Sequence, residues 1–537
     1  MPKLSKIFES CLKLTLASIA LFVEVAEFWW RSYINFLWEP SQEDKLRMQL
    51  KTAQNYDEWL RAALTLDESL GNNVWKSNPV SRYYDYKLIH TRLEHLIGVR
   101  ENDDVQAMMY YLRSGLLRNL GGLHDPRLYR HSYVGTKRLI EEYISELVLE
   151  LAIIANSDPS KLSVQAKMDF FNDTQQSFGR TALILQGGTT FGLYHLGVVK
   201  ALHEHKLLPK ILCGTGIGAL IATLVCIHTD EELPDICKPG GIDLQAFAKV
   251  EAKGNIRRKI NRLMKHGYLL DVKVLEDCVR SNVGDITFED AFNKTGRILN
   301  IAVSPTRKYE VPQLLNYLTA PNVLIWSAAC ASTVMMGLYD SVELMAKDKN
   351  GKIVPWNPSA IKWSEASLNE SESHTTRLTE LFHVNHFIVS QANPYIVPFI
   401  SRGLKEPGGI LTKVMRIIMT EARHRLIQLE QFNLLPRVFR GLIDIKLSGN
   451  VTIVPSLSIS DFNTLFSNPT YNALDYWIRK GESSAWPMIS QIRNRCLVEL
   501  ELNKFWTELK SRALYRSINP TPPEFGIKIR KRTKSIH

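Results

Sequence analysis

The chain has 537 residues, 45% of them hydrophobic and 23% charged. That composition suits a globular protein of roughly three or four domain-sized units, or one large domain with additions. The net charge of +11, from 66 basic and 55 acidic residues, is not gathered into a basic stripe along most of the chain, so nucleic acid is not expected as a partner. Seven cysteines stand singly, without C-x-x-C or Cys/His spacing. A reducing compartment, no metal site and no cofactor are expected.

The N-terminus carries an uncharged, mostly apolar run from Leu14 to Val23, interrupted by Glu24 and Glu27. Phe28, Trp29, Trp30, Tyr33, Phe36 and Trp38 follow. The run is about half the length needed to span a bilayer. Aromatic rings favour the zone where an apolar body meets wet headgroups. Residues 1–40 therefore read as a segment lying in or dipping into a membrane or lipid-droplet surface; a buried helix and a tilted span stay open.

From 41 to 178 the pattern is helical. Asp57–Leu64 and Val134–Ile154 place apolar residues about 3.6 apart, and Gly121–Pro126 separates two helices. Ser157–Gly179 is polar and reads as a connector. Residues 179–392 change character. Short apolar runs at Thr181–Leu185, Ile211–Cys213, Arg297–Val303 and Phe387–Ser390 alternate with helical stretches, one reaching about Glu204 and one over Ile217–Ile227. Such alternation implies an α/β fold with a mainly parallel sheet. Residues 393–524 are mostly helical again. The tail 525–537 holds Lys528, Arg530, Lys531, Arg532 and Lys534, which suit either an anionic membrane surface or solvent.

Two glycine clusters carry the chemistry. After the first strand come Gly187, Gly188, Thr189 and, three residues on, Gly192. A steep turn there leaves amides at a helix N-terminus, where the dipole favours negative charge. In an acyl hydrolase such amides hold the oxyanion and contribute about 3–4 kcal/mol. A dinucleotide loop would want glycine where Thr189 stands and an acidic residue about twenty positions on, and lacks both.

The second cluster is Gly214-Thr215-Gly216-Ile217-Gly218, between a strand and a helix. This is the layout of a nucleophile elbow, G-x-S-x-G. The outer glycines Gly214 and Gly218 are in place, and Gly216 stands where serine is needed. An elbow residue with a Cβ carries strain of about 1–3 kcal/mol; glycine removes the strain together with the hydroxyl. Thr215 is one position out of register and cannot take over.

The segment Gly179–Leu183 through Gly192–Leu202 resembles the start of the patatin-like phospholipase domain, and more narrowly the fungal triacylglycerol lipases of that family. Further likeness lies in Asp57–Trp59 with Asp67, Tyr83–Ile89, Val323–Ala328, Ser341–Asp348 and Phe382–Gln391, so it runs from about residue 50 to 445. The resemblance implies a three-layer α/β domain, flanked by the helical regions, and a Ser–Asp dyad. Carried onto this chain, the serine position is Gly216. The aspartate turn falls at Trp363–Ser367, with Glu365 at the base position and Ala366 at its glycine. Both dyad members are altered, and the extra methylene of Glu365 displaces its carboxylate on a scale that costs about a hundredfold. Ser367, Ser332 and Cys213 lack the elbow setting.

The resemblance thus implies a lipid acyl-hydrolase of impaired chemistry that acts at the cytosolic face of a lipid droplet or the endoplasmic reticulum. Its partners would be neutral lipid or phospholipid, and an active relative. Two alternatives stand: a hydrolase or acyltransferase with an unrecognised nucleophile, and a non-catalytic lipid-droplet scaffold.

Overall fold

The computed structural model describes residues 42–188, 190–238, 240–243, 272–305, 313–333, 342–356, 362–365, 371–393, 449–457 and 470–518, with isolated residues elsewhere. Residues up to Asn73 form one unit and those from Val74 a second. In the first, α1 (Gln42–Thr52) buries nothing, while α2 (Tyr56–Ser69) buries Trp59, Ala62, Ala63, Leu66 and Asp67. Asp57 and Glu58 in its first turn suit the positive end of the helix dipole. The buried Asp67 carboxylate accepts from Asn72 Nδ2 at 2.7 Å. Of the apolar N-terminal segment only 23–27 and 29–30 are described; these are helical, and Trp29 and Trp30 are 67% and 66% exposed.

The second unit opens with α3 (Tyr86–Glu101), α4 (Val105–Gly115), α5 (Arg138–Asn156) and α6 (Val164–Phe178). Asp85, Asp104 and Ser163 cap three of these by accepting from first-turn amides. Helix α6 replaces most of the connector expected over 157–179. Its polar residues hide the pattern, but Phe170, Phe171 and Phe178 gather on one face and are buried.

Helix α5 carries one misfit. Glu150 is fully buried, and neither carboxylate oxygen has a hydrogen-bond partner among the described residues. Burial, with Glu146 adding repulsion and Arg100 opposing it, pushes its pKa up to about 8. Because the folded value lies above the ordinary one, the carboxyl's contribution to stability is fully present below about pH 4.5 and is lost as the pH climbs to about 8. The loss is on the order of 1 kcal/mol per pH unit in that window. Glu150→Gln should therefore flatten the fall in melting temperature between pH 5 and pH 9, and melt above the parent at pH 9.

The sheet contains β1 (Arg180–Gln186), β2 (Ile211–Thr215), β3 (Ile298–Pro305), β4 (Gln313–Leu315) and β5 (Val342–Glu343). The hairpin β6 (Met345–Lys347) and β7 (Ile353–Pro355) stands apart, and β8 (Lys362–Glu365), β9 (Val384–Gln391) and β10 (Val451–Ile453) complete the sheet. The order is β10-β9-β1-β2-β3-β8-β5, with β4 also on β3. Strands β10, β9, β1, β2 and β3 run parallel, and β8 joins β3 antiparallel. This is the mainly parallel α/β architecture expected. Ala182–Leu185 are all buried, the continuous apolar run of a strand covered on both faces.

The body also includes helices α7 (Tyr194–Glu204), α8 (Ile217–Ile227), α9 (Ile325–Thr333), α10 (Tyr471–Ala485) and α11 (Ile489–Ile518). Helix α10 packs along α7, and α11 packs on α5 and α6. Val498, Leu502, Phe505 and Leu509 of α11 share one core with Phe170 and Phe171. The region beyond 392 thus supplies a sheet strand and two packing helices. Strand β10 has three residues, too few to register as a period-2 pattern.

Candidate active site

Parallel register sets Gln186, the last residue of β1, beside Thr215, the last residue of β2. The loop after β1 and the turn after β2 therefore leave the carboxyl edge of the sheet side by side, where open α/β sheets present ligands. They are tied together: Gly187 N donates to Thr215 O at 3.0 Å.

Gly216 is the single residue between β2 and α8, with φ 60° and ψ −137°. A side chain is strained there, so the backbone is the sharp strand-to-helix turn of an elbow. Its carbonyl accepts from Ala219 N at 3.0 Å and from the Thr333 hydroxyl at 3.3 Å. The outer glycines have a packing reason. A methyl on Gly214 would lie 2.4 Å from Ala219 Cα, and one on Gly218 2.2 Å from Leu185 O. They let α8 pack against β1 and β2 whether or not a nucleophile sits between them.

The glycine loop lies directly against the elbow. A methyl on Gly192 would come within 2.6 Å of Ile217 Cβ. Two of the expected oxyanion amides are not vacant, however. That of Gly187 is given to Thr215, and that of Gly188 to Asn393 Oδ1 at 2.9 Å. Thr189 lies outside the described residues.

Behind the loop runs a buried polar chain that sequence reasoning missed. His195 Nδ1 and Ser390 Oγ are 2.8 Å apart; Ser390 donates to Tyr194 OH at 2.6 Å, and Tyr194 donates to Ile453 O at 2.9 Å. With the Ser390 proton spent on Tyr194, the His195 ring donates from Nδ1. Burial pushes its pKa down to about 3, so it is neutral. The chain braces the loop's supporting helix against β9 and β10, and offers no accessible base.

Glu365 ends β8, opposite Val303 of β3. Since Gly214 pairs with Ile301, counting two residues on brings Gly216 level with Val303. The Gly216 and Glu365 backbones thus share one edge of the sheet, two strand spacings or roughly 10 Å apart. Ala366 and Ser367 lie outside the described residues. Ser332 is fully buried and donates to Ala302 O at 2.8 Å. Cys213 is buried, which pushes its thiol up to about 12. Neither is poised to attack. Among the described residues no group of three His, Cys, Asp or Glu could hold a metal.

Comparison with known proteins matches residues 183–356 to the patatin-like phospholipase family, and 35–176 to a domain of unknown function, DUF3336. Triacylglycerol lipase ptl1 of Schizosaccharomyces pombe is 37% identical, over 84% of this chain and 83% of its own. Triacylglycerol lipase ptl3 of the same yeast is 33% identical, over 88% of this chain and 99% of its own. Triacylglycerol lipase 4 of Saccharomyces cerevisiae is 36% identical over 90% of this chain, which spans 55% of that relative's length. The solved type III effector ExoU aligns at a TM-score of 0.25 and 13% identity, too low to bear on the fold. The chain belongs to the patatin-like family, among relatives that carry the name triacylglycerol lipase in fungi and plants.

Proposed function

We propose that this chain acts in lipid metabolism by binding acyl lipid, triacylglycerol or phospholipid, at the Gly216 edge of its sheet, with ester hydrolysis impaired. The observation that carries the reading is Gly216 itself: an elbow turn at φ 60° with no side chain to attack. Loss of a hydrolase nucleophile leaves only the background from oxyanion stabilisation and binding. The buried settings of Ser332 and Cys213 speak against a substitute. Glu365 supports the same reading, since a carboxylate one methylene too long would work poorly even beside a serine.

The place of action is a lipid-droplet or endoplasmic-reticulum surface on the cytosolic side. The exposed Trp29 and Trp30 support contact through the 1–40 segment. No described helix is long and apolar enough to cross a membrane. The test takes purified chain with triacylglycerol emulsion and with lysophospholipid. Co-flotation with the emulsion is expected, with fatty-acid release no higher than from a heat-treated control. Release well above that control ends the impaired reading; failure to float ends the lipid-binding one.

A further inference from the structure

Asn393 follows β9 and reaches across to the turn after β1. Its backbone is anchored from both strands. Ala392 N donates to Gln186 O at 3.0 Å, and Asn393 N donates to Gln391 Oε1 at 3.4 Å. Gln391 donates through Nε2 to Gln186 Oε1 at 3.2 Å, so the last side chains of two neighbouring strands are joined, and both are buried. From this frame the Asn393 carboxamide oxygen accepts the Gly188 N–H at 2.9 Å. The fit is close: a methyl on Gly187 would lie 1.8 Å from Asn393 Oδ1.

A carboxamide oxygen on this amide has the same chemistry as the carbonyl oxygen of an acyl ester. It is a neutral sp² acceptor of similar size, seated on a donor in the glycine loop beside the elbow. An incoming ester oxygen meets an acceptor already in place. Rotation of the Asn393 side chain would free the donor without disturbing the backbone anchors at 392 and 393.

We propose that Asn393 is the gate of the acyl-oxygen site: it holds the Gly188 amide and must turn away before an ester carbonyl is received. This rests on the acyl-lipid reading above. A gate and a mere brace differ in sign. If Asn393 only props the loop, removing it weakens ligand binding; if it competes for the amide, removing it strengthens binding.

The experiment is an equilibrium fluorescence titration of the full chain with an NBD-labelled monoacylglycerol below its micellar concentration. Asn393→Ala should bind roughly fivefold tighter than the parent, the factor set by one typical net hydrogen bond. Asn393→Asp should bind at least as much weaker, because a carboxylate holds an N–H more strongly than a carboxamide does. Hydrogen exchange at the Gly188 amide gives a ligand-free readout, protected in the parent and faster in Asn393→Ala. Weaker binding by Asn393→Ala, or equal binding by all three proteins, overturns the gate while leaving the acyl-lipid reading intact. No binding by any of them removes the acyl-lipid reading and the gate with it. Circular dichroism checks folding, and Asn393→Ser stands in should the alanine variant fail to fold.

Discussion

Gly216→Ser combined with Glu365→Asp and Ala366→Gly is expected to raise esterase activity at least about a hundredfold over the parent chain. The elbow backbone already exists, at φ 60° between β2 and α8, so the new hydroxyl would stand at the tip of a formed turn. Gly214 and Gly218 keep the helix close enough to preserve that turn. The aspartate shortens the carboxylate arm at the sheet edge that register shares with Gly216. Restored strain should cost about 1–3 kcal/mol, a fall of several degrees in melting temperature. Hydrolysis of 4-nitrophenyl butyrate and fluorophosphonate labelling at position 216 are the measurements. Gly216→Ala is the control: it should lose the same stability and gain no activity. A folded triple variant that neither labels nor hydrolyses would mean that the surrounding pocket has diverged as well, beyond repair at the dyad alone.

The parts legible in the sequence were those whose signal is local. Continuous apolar runs ended by glycine marked β1 and β2, and the helix 217–227 was bounded to the residue because Gly216 punctuates its start. The elbow could be read because its frame survives without its centre. Asn393 could not, since it meets Gly188 across 205 positions and nothing near it in sequence marks it as a loop contact. The same holds for Gln186 and Gln391, polar residues at the ends of apolar strands whose pairing depends on β1 and β9 being neighbours. Helix α6 was hidden by composition, because three phenylalanines among amides and acids anchor a helix without making it look amphipathic. The place of α11 in the N-terminal helical core was hidden by distance, for Phe505 packs against Phe171 more than three hundred residues away.

That distance is bridged by one buried ion pair, and Glu499→Gln should destabilise the chain by about 3–5 kcal/mol, read as a lowered urea midpoint. Arg118, just beyond α4, donates to Glu499 Oε2 at 2.8 Å, to Thr181 Oγ1 at 2.9 Å and to Gly179 O at 3.0 Å. Both side chains of the pair are only 9% exposed. Glu499 also accepts from Thr181 N at 2.8 Å and contacts the Thr181 hydroxyl. Its removal would leave the Arg118 guanidinium buried near Arg495, where burial and these two cations already hold His124 and His386 well below the usual imidazole range. An uncompensated buried cation costs more than the pair itself gains. Arg118→Met with Glu499→Leu should therefore recover much of what either single change loses. A single-variant loss under about 1 kcal/mol would place the pair with ordinary surface bridges. The consequence extends to the site, because Thr181 opens β1 and the Gly187–Gly192 loop leaves its other end. With its entry no longer pinned to α11, β1 can shift along its neighbours, and the Gly188 amide should exchange faster in Glu499→Gln even where the chain remains folded.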